Sequence, residues 1–102
     1  MTTYLVTYHG GSGPPATPEQ AQQMAAAFGQ WLASAGDAVK DPGSPLKPAT
    51  QVAGGTPTER IAIGGYSVIE APDLDAAVKI LQPHPFVARG GTLQVDEAFS
   101  IG

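Results

Sequence analysis

The chain has no cysteine, so disulfide staples, thiolate nucleophiles and cysteine-ligated metal sites are excluded from the outset. It is also poor in charge. Only 14% of its residues are charged, and the five basic ones, Lys40, Lys47, Arg60, Lys79 and Arg89, are scattered rather than gathered into a stripe. With a net charge of −4 and no basic face, the chain has nothing with which to track a phosphate backbone, and nucleic acid is not an expected partner. Histidine is scarce too: His9 and His84 are far apart, and neither His-x-x-x-His nor a carboxylate cluster is present, so no metal is expected. The glycine-rich turns Gly10-Gly11-Ser12-Gly13 and Gly54-Gly55 match neither a phosphate-binding loop nor a dinucleotide fingerprint, and no cofactor is expected. No run approaches the roughly 20 apolar residues of a membrane span, and the first residues lack a basic stretch followed by a long apolar one. A soluble, cytoplasmic protein is the expectation.

What is present is a chain of 102 residues, 42% of them hydrophobic, which suits one domain around one core. The most informative stretch is Gly64-Gly65-Tyr66-Ser67-Val68-Ile69-Glu70-Ala71-Pro72-Asp73-Leu74-Asp75-Ala76-Ala77. A β-branched and aromatic run ends at a proline, and an aspartate-capped helical pattern follows at once. Upstream, Tyr4 to Tyr8 reads as a strand that ends at His9-Gly10-Gly11, and residues 12–16 read as a loop, whose Gly10 to Gly13 part precedes a helix start where a small anion is conceivable. Thr17-Pro18-Glu19-Gln20 is a helix start with Thr17 as N-cap, Pro18 at the first helical position and Gln20 placed to reach back. Ala21, Met24, Ala25, Phe28, Leu32 and Ala35 recur at helical spacing, and Gly36 ends the element.

Asp37 to Asp41 reads as a short extended segment, Pro42 to Pro45 as a turn, and Leu46 to Ala53 as a second weak strand piece. The three prolines between Pro42 and Pro48 predict an interrupted strand at a sheet edge. Ile61 to Ala71 is the longest strand signal. Asp73 caps a helix with Leu74, Ala77, Val78 and Leu81 on one stripe, His84-Pro85 lies beyond it, Phe86 to Gly91 is a connection, and Thr92 to Phe99 is the last strand. The order β-α-β-β-α-β is the ferredoxin-like pattern, an α+β sandwich.

In such a sandwich both helices cover the same side of the sheet. Strands that are apolar on both faces then leave one side in need of cover, and a second copy of the chain, forming a dimeric α+β barrel, is expected to supply it. A small organic ligand would sit in the resulting cleft. His9, at a strand end, is the candidate general base, and Asp37 the carboxylate that would orient it. Tyr8, Tyr66, Trp31 and Glu70 are candidate lining groups, and Arg60 a candidate receiver for an anionic substrate group. Each has a structural alternative: a loop histidine held by backbone, an aspartate capping a turn, aromatic packing, a solvated glutamate. His84, between Pro83 and Pro85, reads as a helix-end histidine facing the dipole.

Phe28-x-x-Trp31-Leu32-x-x-x-Gly36, Pro45-Leu46, the Gly64 to Ala71 strand with Leu74-Asp75-Ala76-Ala77, and Pro85 with Gly90 to Val95 together resemble the YCII-related family, particularly its DGPF-type branch. That resemblance implies a ferredoxin-like dimeric α+β barrel. In the family's other branch it implies a histidine on the first helix near an aspartate on strand two. Here the first helix has no histidine, and the branch-naming turn stands as Gly55-Thr56-Pro57-Thr58 with Arg60 nearby. The functional expectation is a binder of a small organic molecule, with cofactor-free acid–base chemistry through His9. The alternative is a non-catalytic dimerisation or ligand-sensing module.

Overall fold

The computed structural model describes residues 1–11 and 15–101. Its elements are β1 (Thr2–Gly10), α1 (Pro18–Ala35), a 3-10 turn (Gly36–Ala38), β2 (Val39–Pro45), β3 (Gly65–Ala71), α2 (Leu74–Leu81), α3 (Pro85–Ala88) and β4 (Gly91–Glu97). The four strands form one antiparallel sheet in the order β2-β3-β1-β4, the ferredoxin-like arrangement.

Local chemistry explains both helix starts. Thr17 Oγ1 accepts the Gln20 N–H at 3.1 Å while Gln20 Oε1 accepts the Ala16 N–H at 2.8 Å, a reciprocal cap, and Asp73 Oδ1 accepts the Ala76 N–H at 2.9 Å. The expected loop over residues 12–14, with its conceivable anion, lies outside the described residues.

Strand alternation sorts the sheet into two faces. Tyr4 and Val6 of β1 sit opposite Ile69 and Ser67 of β3, and this face packs on Trp31 of α1 and Ala77 and Leu81 of α2. Each large apolar side chain buried there contributes about 1.5–3 kcal/mol, so this layer holds most of the fold's hydrophobic stabilisation. The other face has no helix over it. Leu5 there is 42% exposed, and Tyr66, Val68 and Glu70 are half-buried.

Three expectations are corrected. The long strand begins at Gly65 rather than Ile61, because β1 ends at Gly10; Gly64 still donates to the Tyr8 carbonyl at 2.7 Å, and beyond it the ladder has no strand to pair with. Leu46 to Ala53 forms no strand. Pro42 to Pro45 is part of β2 rather than a turn, accommodated by register shifts between Val39 and Ser44 on what is, as expected, an edge strand. Among the described residues no helix is long and apolar enough to cross a membrane.

Candidate functional site

A cleft of about 640 Å³ opens on the helix side of the sheet, at the end where β1 finishes. Met24 and Phe28 of α1, the Pro42 to Leu46 backbone run, Tyr8, and His84, Phe86 and Arg89 around α3 line it. The walls are mostly apolar. Apart from Arg89, its main polar groups, Tyr8 and His84, belong to one connected set.

His84 is the centre of that set. It is 1% exposed and boxed by rings, with Trp31 at 4.4 Å, Tyr8 at 5.2 Å and Phe28 at 5.7 Å between centroids. Its position as N-cap of α3, with Pro85 at the first helical residue, turns Nδ1 onto the Phe86 N–H at 3.0 Å. Nδ1 is therefore the acceptor, and Nε2 carries the proton and donates to Tyr8 Oη at 2.9 Å. Tyr8 then donates to Ser67 Oγ at 2.8 Å, and Ser67 donates to the Pro42 carbonyl at 2.8 Å. The result is a one-directional chain of hydrogen bonds from α3 across β1 and β3 to β2. Trp31, whose indole N–H donates to the Ile80 carbonyl at 2.9 Å, backs the imidazole from behind.

The electrostatics keep every member neutral. Burial pulls the His84 pKa down to about 4, and the Arg89 charge adds to the effect. Burial raises the Tyr8 pKa, and the hydrogen bond with Ser67 works in the opposite direction. A stability consequence follows from the histidine. Between about pH 4 and 6.5 the unfolded chain binds a proton at this position that the native state refuses. The contribution is therefore complete above pH 6.5 and is lost as pH falls toward 4, on the order of 3 kcal/mol at the bottom. Urea midpoints at pH 7 and pH 4.5 check it: the drop should be clearly larger in the wild type than in His84→Gln, and equal drops would refute it.

The structure separates the residues that sequence reasoning grouped. Tyr8 is in the cleft, but the His9 side chain, next along the strand, points to the opposite face, because side chains alternate along a strand. There His9 Nε2 accepts from Thr7 Oγ1 at 2.8 Å and Nδ1 donates to the Ala62 carbonyl at 3.2 Å. The expected His9–Asp37 pair is corrected for a second reason. Val39, just after Asp37, is paired through Ile69 to Tyr4, whereas His9 pairs with Thr92 near the other end of β1. Five strand positions are about 17 Å. Glu70 is on the helix-free face, 3.6 Å from Lys40. Tyr66 contributes to the lining of the cleft, yet its hydroxyl donates to Asp41 Oδ2 at 3.4 Å and not to the polar chain. Arg60 is exposed in the irregular 46–64 segment.

Ser67 was not among the expected site residues, and His84 was expected only as a helix-end histidine. Two signals were available: His-Pro is a cap-and-first-turn pair for a short helix, and Ser67 shares strand parity with Ile69 and Ala71, hence their buried face.

A four-stranded antiparallel sheet with its helices on one side and a polar chain under them defines an α+β protein of ferredoxin-like topology with a helix-side cleft. The chain belongs to the YCII-related domain family, which it matches over residues 5–97. Its fold is similar to that of 5-chloro-2-hydroxyhydroquinone dehydrochlorinase from Burkholderia phenoliruptrix AC1100, solved in complex with 2,5-dihydroxybenzoquinone. The likeness covers 98% of this chain and 95% of that one at a TM-score of 0.58 and 19% identity, and at that identity it is a likeness of fold. No curated protein matches it in sequence.

Proposed function

We propose that this YCII-related protein binds a small, flat organic molecule in the helix-side cleft and acts on it by acid–base chemistry carried by its own side chains, with Tyr8 meeting the ligand. The observation that carries this reading is the one-way hydrogen-bonded chain through His84, Tyr8 and Ser67 beneath a largely apolar cleft. When the Tyr8 proton turns from Ser67 to a ligand oxygen, the His84 N–H continues to donate to the phenol oxygen and polarises its O–H toward the ligand. Burial makes Tyr8 a weak acid, so its main contribution is a fixed hydrogen bond to an oxygen gaining negative charge. The dehydrochlorinase of similar fold was solved with a dihydroxybenzoquinone, and that compound is the natural first probe. In titration calorimetry Tyr8→Phe should weaken its binding about tenfold, while His9→Ala should change it less than twofold. The reverse ranking would overturn the assignment.

A second copy of the chain is proposed on the helix-free face. Leu5 and its cross-strand partner Val68 form an apolar centre there, flanked by Thr92, Gln94 and Asp96 of β4 and by the Lys40–Glu70 pair, the apolar-centre, polar-rim pattern of an interface. Sedimentation at micromolar concentration should give the mass of two chains, and Leu5→Lys should shift it to one; a wild-type monomer would refute the pairing.

One observation favours a non-catalytic, ligand-sensing role instead: among the described residues no buried side-chain polar atom lacks a partner, so the polar chain is complete without a ligand. Proton NMR of the quinone after prolonged incubation separates the two, since a sensor returns it unchanged.

A further inference from the structure

The cleft differs in charge from the rest of the molecule. The chain carries nine acidic residues against five basic ones, yet among the described residues none of the acids lines the cleft, and one of the cations, Arg89, does. Arg89 is half-buried just after α3, with its guanidinium carbon 5.7 Å from the centre of the Phe86 ring. No carboxylate among the described residues pairs with it, where the one ion pair is Lys40–Glu70. The same Phe86 ring lies 5.1 Å from the Tyr8 ring, so the aromatic wall is shared by the hydroxyl at one side and the guanidinium at the other.

We infer that the cleft selects flat organic anions: Arg89 receives the acidic group, Phe86 and Phe28 take the flat body, and Tyr8 meets the far, uncharged end. This rests on the cleft-binding reading above and adds the substrate class and the residue that sets it. Aromatic walls alone suit a neutral ring or an organic cation. A guanidinium among them reverses the second preference, because it repels cations and offers a planar fork of donors that matches a carboxylate or an acidic enol. Its charge also reaches the floor of the cleft, where it disfavours protonated His84.

The test compares two probes of nearly the same shape, 4-hydroxybenzoate and 4-hydroxybenzamide, titrated into the full chain at low salt with calorimetric or NMR readout. The acid should bind about ten- to a hundredfold more tightly than the amide, and added KCl should erode that advantage. Arg89→Gln should bring the two affinities together, while Arg89→Lys, which keeps the charge but not the fork, should keep part of the preference. Unchanged melting of both variants would exclude a folding defect in this partly exposed side chain. Equal binding of acid and amide by the wild type would overturn the anion preference and leave the cleft reading standing. Failure of both probes to perturb Tyr8, Phe86 or His84 resonances would overturn both.

Discussion

Replacing His84 by alanine is expected to lower stability by roughly 4 kcal/mol and the melting temperature by about 20 °C. Two costs combine. The imidazole fills a box made by Trp31, Phe28 and Tyr8, and its removal leaves a cavity between rings that are held by separate elements and cannot close together. It also strips the Phe86 N–H of its acceptor and Tyr8 Oη of its donor, in a place water reaches poorly. His9→Ala is the internal comparison. That ring is half-buried and outside the aromatic box, with one hydrogen bond to the exposed Ala62 carbonyl and one from the buried Thr7 hydroxyl, so its loss should cost about 1 kcal/mol. Urea unfolding followed by circular dichroism reads both. Equal effects would mean that His84 is an ordinary surface histidine and that the polar chain does not organise the cleft.

Gly43→Ala is the second large effect, expected at roughly 3–5 kcal/mol. Gly43 has φ +77, and a Cβ there would run into the Tyr66 carbonyl, which is backbone of the central sheet and cannot step aside. This close approach is what lets β2 bulge. Asp41 Oδ1 holds the Gly43 N–H at 2.8 Å, and the bend presents the Pro42 carbonyl to Ser67. The same substitution should therefore disturb the end of the hydrogen-bonded chain as well as the fold. Gly90→Ala isolates the backbone term, because Gly90 also has positive φ, +86, but nothing lies within 4 Å of its added methyl. It should cost about 1 kcal/mol. Thermal melts of the pair check the difference, and similar melting of both would refute the close-contact explanation.

The residues of the cleft were legible in unequal degree. Tyr8 was readable as a lining group because an aromatic residue on a central strand must find a buried place, and Trp31, one position off the expected helix stripe, as a wall because it stands beside Phe28 and Leu32; it is the buried residue of α1. His9, the expected general base, lies on the other face of the sheet from Tyr8. Proximity to a strand end suggested a site, but strand parity turns residue 9 away from residue 8, and parity relative to the helices depends on register. His84 was read for the dipole of the helix before it, whereas it caps the helix after it. The prolines on either side make both readings stereochemically acceptable.

By itself the sequence determined α1, α2 and the order of the four strands, though not α3, which stands mostly where a connection was expected: caps, glycine stops and apolar spacing act over about four residues, and the signals at Thr17, Gly36 and Asp73 appear in the structure where they stand in the chain. It also carried the topology, because right-handed crossovers leave few ways to lay four such strands and two helices together. Only the tertiary structure decided which polar groups meet. Tyr8 reaches Ser67 across 59 residues of sequence and His84 across 76. A hydrogen bond needs its atoms placed to a few tenths of an ångström, and that placement is set by register and packing summed over the whole sheet rather than by any local pattern.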